Sequence, residues 1–224
     1  ANAKKAPDVP KDFLETPAEY FDTDVEKLIS INTAEDVSNL RAALIERLWG
    51  EPQLPGTQPA SVVKAIIDER YNDITSLQQI NKLVVKMEFG LESNVYLFLP
   101  KRHNGDVLLY HQGHRGDFYE SKLQISEFLD NGYAVAAFSM PLLGMNNKPM
   151  VDVPRFGKLT LSKHDHLKVL TPAKGHPIKF FIEPIVVVLN YLSKKYDDAQ
   201  IIMAGISGGG WTTTLAAAVD VRIE

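Results

Sequence analysis

The sequence contains no cysteine among its 224 residues. Disulfide bonds and a cysteine nucleophile are therefore excluded. It also lacks any apolar run near the roughly 20 residues that a membrane-spanning helix requires, so we expect no transmembrane segment. The formal net charge of -4 is small. Such a charge gives no reason to expect a nucleic-acid partner or an anionic membrane surface.

The sequence begins without a signal peptide, and its first residues are Ala1-Asn2-Ala3-Lys4-Lys5. An Ala-x-Ala triplet resembles the small-residue pattern of a signal-peptidase cleavage site. This start favours export to the periplasm or medium over a cytoplasmic location.

Helical patterns dominate the first third of the chain. Thr33-Ala34-Glu35-Asp36 resembles a capping box, and apolar residues recur at helical spacing up to Gly50, which predicts a helix over about 34–49. Ser61 is a candidate cap for a further short helix through Ile67. We therefore predict an N-terminal helical extension over residues 1–73.

From residue 74 onward the pattern becomes one of strands alternating with helices. Two strands joined by a turn at Gly90 come first, and we expect them to form an antiparallel leading edge. Three short apolar strands then alternate with three helices, which is typical of a parallel sheet with helices on both faces. The predicted strands are 107–110, 133–138 and 201–204, and the predicted helices are 119–131, 177–195 and 208–219. This α/β domain should cover residues 74–224.

Two parts of this domain carry more specific expectations. In the helix over 119–131, Leu123, Phe128 and Leu129 are expected to face the core. Residues 140–176 read as an irregular segment, and loops of that length are uncommon unless they are functional. We expect them to form a rim that sets specificity.

The pattern Gly205-Ile206-Ser207-Gly208-Gly209 matches G-x-S-x-G, and it lies between an apolar strand and a helix of small residues. A nucleophilic serine needs this sharp strand-to-helix turn, and the flanking glycines are required because a Cβ would clash within it. The N–H of Gly208 would then face the developing oxyanion. The alternative is a glycine-rich turn that binds phosphate, but the pattern lacks the G-K-[ST] of a P-loop and the acidic residue of a dinucleotide fold.

A second motif, His111-Gln112-Gly113-His114-Arg115-Gly116, follows the strand over 107–110. Enzymes that carry a G-x-S-x-G serine place a second oxyanion donor after such a strand, so we predict that Gln112 and Gly113 contribute to the oxyanion hole. His111, His114 and the more distant His176 are expected to line the substrate pocket. The alternative is a polar loop in which His111 packs structurally.

These motifs together resemble the α/β-hydrolase superfamily, near its esterases and dienelactone-hydrolase-like members. The resemblance extends over about residues 75–224 and includes Ile202 to Thr213. It implies an α/β-hydrolase fold, a catalytic Ser207, and a triad completed by an acid and a histidine that follow the serine in the chain.

Two features depart from the superfamily pattern. The oxyanion loop reads His-Gln-Gly rather than the commoner His-Gly-x, and residues 208–224 contain no histidine. Asp220 and Glu224 lie at or beyond the end of the nucleophile helix, on the wrong side for a triad acid. We therefore expect this chain to stop before the acid and histidine of the triad.

The function favoured by these patterns is hydrolysis of a carboxylic ester, of a small molecule or a carbohydrate, through an acyl-enzyme at Ser207 and without a cofactor. One alternative is a serine peptidase of the prolyl-oligopeptidase type, and another is a non-catalytic binding protein of the same fold. A metal site at His164-Asp165-His166 is disfavoured because alternate residues on a flexible loop rarely make a site unaided, so no metal is expected. Lys194-Lys195 reads as a solvated helix end.

Overall fold

The structure is a computed structural model that describes residues 24–154 and 156–224. Two compact units are present, Ala1–Leu40 and Arg41–Glu224. In the described part of the first unit, a single-turn helix, α1, covers Val25–Leu28, and helix α2 (Ala34–Trp49) begins.

The N-terminus of α2 has the predicted capping box. The Asp36 N–H donates to Thr33 Oγ1 over 3.1 Å, and the Asp36 carboxylate accepts from the N–H groups of Asn32 and Thr33 over 2.9 and 2.8 Å. Gly50, at φ 66°, ends the helix by donating its N–H to the Glu46 carbonyl over 2.7 Å. The predicted span and both boundaries of this helix are confirmed.

The short helix predicted from Ser61 is wrong, because Ser61–Ile66 forms strand β1. This strand pairs antiparallel with β2 (Leu77–Lys86). Its valines favour extended backbone, and pairing with β2 outweighs any local capping by Ser61. The domain division after residue 73 stays a prediction.

From one edge to the other, the six strands of the sheet are β1, β2, β3 (Glu92–Pro100), β5 (Ala134–Phe138), β4 (Val107–His111) and β8 (Ile201–Gly205). Strand β3 pairs antiparallel with β2 and with β5, which confirms the antiparallel leading edge. Strands β4, β5 and β8 are mutually parallel, as predicted from their alternation with helices.

Helices cover both faces of this sheet. Helices α4 (Lys179–Lys195) and α5 (Gly208–Val219) contribute buried residues to one apolar cluster, together with the end of α2. Helix α3 (Lys122–Asp130) packs on the opposite face. In α3 the predicted inward position of Leu123 is wrong, since its side chain is 81% exposed. Ile125 and Leu129 are the fully buried residues of this helix.

Residues 140–176 are more regular than their composition indicates. They contain a hairpin of β6 (Met150–Val153) and β7 (Gly157–Thr160), followed by a 3₁₀ segment, His164–Val169. A third apolar cluster underlies this segment and includes Leu161 and Phe180. The segment therefore has a small core of its own. Among the described helices, none combines the length and apolarity that crossing a membrane requires.

Candidate functional site

Ser207 occupies the turn between β8 and α5. Its backbone has φ 54° and ψ -121°, a conformation that residues other than glycine rarely adopt. Gly208 begins α5, and Ser207 is exposed. Strained backbone of this kind costs on the order of 1–3 kcal/mol and persists only where the surroundings enforce it.

The glycines around Ser207 supply that enforcement. A Cβ placed on Gly205 would lie 2.3 Å from the Gly209 carbonyl oxygen, and a Cβ on Gly209 would lie 2.1 Å from the His111 carbonyl oxygen. Neither contact is possible for a real side chain. The turn therefore requires glycine at these two positions, as the motif predicts.

The 111–116 loop lies directly beside Ser207. The Ile206 N–H donates to the His111 carbonyl over 3.1 Å, which joins the loop to the turn. A Cβ on Gly113 would lie 3.0 Å from the Ser207 Cβ and 2.6 Å from the Ile206 oxygen. The two predicted motifs thus meet at one end of the sheet.

The backbone amides of this loop are not equally available to a substrate. The Gln112 N–H donates to the Phe138 carbonyl over 2.9 Å, and the Gly113 N–H donates to Gln112 Oε1, also over 2.9 Å. Within residues 24–154 and 156–224, the N–H groups of His114 and Gly208 have no acceptor. The amides of Gly208, which follows Ser207, and of His114, whose ring lies against Gly208, are therefore available to a ligand, whereas Gln112 and Gly113, predicted as donors, have engaged amides.

His111 is not exposed to an open pocket, contrary to its predicted place in the substrate pocket. Its side chain is 2% exposed, its ring stacks on Phe138 with centroids 5.9 Å apart, and its Nδ1 lies 2.9 Å from the Gln112 carbonyl oxygen. Burial lowers the pKa of His111 to about 4. His111 is thus a neutral histidine packed beneath the turn, which was the alternative interpretation.

His114, in contrast, is exposed and lies against the start of α5. A Cβ on Gly208 would lie 2.6 Å from the His114 Nδ1. The ring of His164 is 5.1 Å from that of His114, and the row of rings continues to Phe181 at 5.0 Å and from there to Trp211 at 5.4 Å. These four rings, His114, His164, Phe181 and Trp211, form an aromatic row beside the turn at Ser207.

His164 is the site residue that the sequence did not single out for this purpose. Its Nε2 lies 2.8 Å from the Pro141 carbonyl oxygen, and burial is the main cause that lowers its pKa. The only signal in the sequence was its position in the long segment after β5. A local pattern cannot show that this segment returns to the turn at Ser207.

Two cavities adjoin the aromatic row, and His164 lines both. One, of about 330 Å³, is also lined by His114, Leu143 and Lys163. The other, of about 340 Å³, is more apolar and is lined by Leu167, Leu170, Phe181 and His176. His176 therefore lines a cavity that adjoins the aromatic row.

The His164-Asp165-His166 sequence does not converge on one point. His164 is bonded to Pro141, the Nδ1 of His166 lies 3.2 Å from the Thr160 carbonyl oxygen, and Asp165 pairs with Lys168 at 2.6 Å. Over the described ranges, no three His, Asp or Glu side chains come together as a metal site would need.

The Ser207 Oγ makes no hydrogen bond to any residue that the structure describes. Downstream of Ser207, Asp220 is buried at the end of α5 and pairs with Arg222 at 2.5 Å. It therefore lies a full helix length from Ser207, in agreement with the expectation that it is not a triad acid.

No protein-family model and no curated protein sequence matches the chain. Solved structures do match it. Acetyl xylan esterase 1 from Thermoanaerobacterium sp. JW/SL YS485 superposes with a TM-score of 0.56 at 15% identity, over 91% of this chain and 62% of that one. A methylesterase superposes with a TM-score of 0.57 at 17% identity, over 89% and 42% of the two chains. An acetyl xylan esterase from Paenibacillus sp. R4 superposes with a TM-score of 0.50 at 19% identity, over 86% of this chain and 58% of that one.

At these identities the likeness shows the fold, which is the α/β-hydrolase fold, and the fold predicted from the sequence is confirmed. The chain spans 42% to 62% of the lengths of these three neighbours.

Proposed function

We propose that this protein hydrolyses carboxylic esters, with Ser207 as the nucleophile. The observation that carries the proposal is the exposed Ser207 at φ 54°, on a turn between β8 and α5 that only glycine neighbours permit. Strain of this kind holds a hydroxyl above the sheet, where it can attack an acyl carbonyl. The N-terminus of α5 adds a favourable field for the negative charge that then develops.

The oxyanion is held by the N–H groups of Gly208 and His114. Gly208 directly follows Ser207, and the His114 ring lies against Gly208. Both amides lack an acceptor within the described residues, whereas the amides of Gln112 and Gly113 are engaged. Two preorganised donors of this kind lower the energy of the tetrahedral intermediate without reorganisation during the reaction. The Gln112 side chain contributes by fixing the loop, since its Oε1 and Nε2 bond to Gly113 and to the Asp117 carbonyl.

The substrate is an ester of a carbohydrate or a small acid. The neighbours in fold are named as acetyl xylan esterases and a methylesterase, which supports this class. The two cavities that His164 lines offer room for the acyl and alcohol parts of such an ester.

Activation of Ser207 needs a general base, because an unassisted serine hydroxyl is a weak nucleophile at neutral pH. No described imidazole bonds to its Oγ. The resemblance to α/β-hydrolases implies a histidine and an acid that follow the serine in the chain, and we assign the base to that histidine.

The proposal is tested on the longest natural form of the protein that contains these residues. Hydrolysis of p-nitrophenyl acetate and labelling by a serine-directed fluorophosphonate should both be lost in Ser207→Ala. Both should persist in Ser38→Ala, which alters an exposed serine outside the site. Labelling that survives Ser207→Ala would refute the assignment. Preference for a proline anilide over the ester would instead favour a peptidase, and absence of both activities a binding protein.

The oxyanion assignment has its own pair of variants. His114→Pro removes the N–H, whereas His114→Ala removes only the imidazole. We expect kcat to fall about 10²- to 10³-fold in the proline variant and much less in the alanine variant. Circular dichroism establishes that both remain folded. An equal loss in the two would show that the imidazole, and not the amide, is required.

A further inference from the structure

A groove of about 660 Å³ lies at the end of the sheet opposite Ser207. Strands β1, β2 and β3 form one wall, and the last turns of α4 form the other. Its location follows from the topology, because the end of α4 leads into the start of β8 whereas Ser207 follows the end of β8. The groove is therefore separate from the nucleophile turn and its cavities.

The face of β2 that packs on α4 is apolar near the end of the strand and polar at this groove. Val85 and Leu83 are buried in the apolar cluster beneath α4. Two and four residues before Leu83, on the same face, are Asn81 and Gln79. Asn81 is only 2% exposed. Burying the Asn81 amide is costly unless its hydrogen-bonding capacity is used, whereas Gln79 is only half-buried.

The Oδ1 of the Asn81 side chain holds a strained segment of β1. It accepts from the Ala65 N–H over 3.0 Å and from Gln79 Nε2 over 2.5 Å. Ala65 has φ 54°, and the β1 register shifts between Val63 and Ile66. Irregularities of this type are concentrated at functional sites.

The Nδ2 of the same side chain has no acceptor among the described residues. The Nδ2 of Asn81 donates to no group in residues 24–154 and 156–224, and Asn81 lines the groove. Among the described residues, this Nδ2 does not belong to the buried polar atoms that lack a partner, so it is open to the groove and available to a ligand.

The positive charge of the groove is also unpaired. Lys64, Lys194 and Lys195 line it, and none forms an ion pair with a carboxylate of the described ranges. The Lys195 Nζ lies 4.9 Å from the centroid of the Tyr196 ring. Among the described residues no Asp or Glu lines the groove, whereas Tyr191 does.

We propose that this groove binds an acidic oligosaccharide. Lysine ammonium groups are compact charges suited to sugar carboxylates, amide groups of Asn81 and Gln79 suit sugar hydroxyls, and the Tyr191 ring offers an apolar surface. The volume fits a ligand much larger than a single ion. Such a site would hold an acidic glycan away from Ser207, and its function would be independent of the ester hydrolysis.

The test measures binding by calorimetry on the full chain carrying Ser207→Ala, so hydrolysis plays no part. The probes are a trimer of galacturonic acid, xylotriose as the neutral counterpart, and inorganic phosphate. We expect measurable binding of the acidic trimer alone. Lys64→Gln combined with Lys194→Gln should weaken it about tenfold, which corresponds to about 1.4 kcal/mol. Lys158→Gln, which alters an exposed lysine on the β6–β7 hairpin, should not change it.

Each other outcome overturns the proposal. Equal binding of xylotriose would remove the requirement for charge, and equal binding of phosphate would remove the requirement for a sugar. An equal effect of Lys158→Gln would show diffuse attraction by surface charge. Absence of binding to all three probes would also refute it. Because Lys64 and Lys194 are exposed, these variants are expected to fold, and their thermal unfolding verifies this.

Discussion

The two ends of the sheet are built in different ways. At the Ser207 end, backbone packs on backbone, and the Gly209 position leaves only 2.1 Å between a Cβ and the His111 oxygen. At the opposite end, side chains from β1, β2 and α4 surround an open groove. Both ends hold a residue at φ 54°, Ser207 and Ala65. The first is fixed by contacts that no substitution tolerates, and the second by one hydrogen bond to Asn81.

This difference predicts how each end responds to mutation. A site fixed by close backbone contact should lose much of its stability when a side-chain atom is added. A site assembled from side chains should lose binding while the fold persists.

Gly209→Ala should destabilise the protein by about 3 kcal/mol or more, because the new methyl group overlaps the His111 and Gln112 carbonyls. Gly210→Ala is the matched control. There the methyl group lies 3.3 Å from its nearest atom, and alanine favours the helix by about 1 kcal/mol. Urea unfolding measures both free energies. Similar values for the two variants would contradict a turn fixed by backbone contact.

His111 should make the protein sensitive to acid. Its pKa is about 4 in the folded chain against 6.5 in the unfolded chain. Between these two pH values the unfolded chain binds a proton at His111 and the folded chain does not. The contribution of His111 to the free energy of unfolding is fully present above pH 6.5. It is lost as the pH falls toward 4, by at most about 3 kcal/mol. The free energy of unfolding is measured by urea between pH 7 and 4.5.

His111→Asn should flatten that pH dependence, even though it lowers the stability at pH 7. His103→Asn, at an exposed histidine, serves as the control. If the slope of stability against pH in His111→Asn equals that of the wild type, the buried and neutral state assigned to His111 is wrong.

The same contrast explains what the sequence could and could not predict. Gly205, Ser207 and Gly209 lie within five residues, so local sterics alone predicted the turn and its position after a strand. The alternation of apolar strands with helices predicted the parallel strands in the same way. The helix predicted at Ser61–Ile67 is a strand because long-range pairing with β2 determines its structure, and no local pattern records that pairing.

Side chains brought together by folding could not be predicted. His164 reaches the aromatic row because the 140–176 segment returns to the turn on a core of its own. Asn81 is significant only because Ala65 and the end of α4 lie beside it. Gln112 and Gly113 were predicted as donors because residue type cannot show that their amides are already engaged.

The smallest expected effect is at Ala65, and it has the opposite sign. A residue with a Cβ in the left-handed region costs about 1–2 kcal/mol, which glycine avoids. Glycine also adds about 0.4–1 kcal/mol of unfolded-chain entropy that folding must remove. Ala65→Gly should therefore raise the free energy of unfolding by up to about 1 kcal/mol, whereas Ala60→Gly, a neighbouring exposed alanine outside the left-handed region, should lower it by a similar amount. Thermal and urea unfolding of the two variants measure the difference. A loss of stability in Ala65→Gly as large as that in Ala60→Gly would show that the φ of 54° is not a source of strain, and the bulge would no longer support a functional groove.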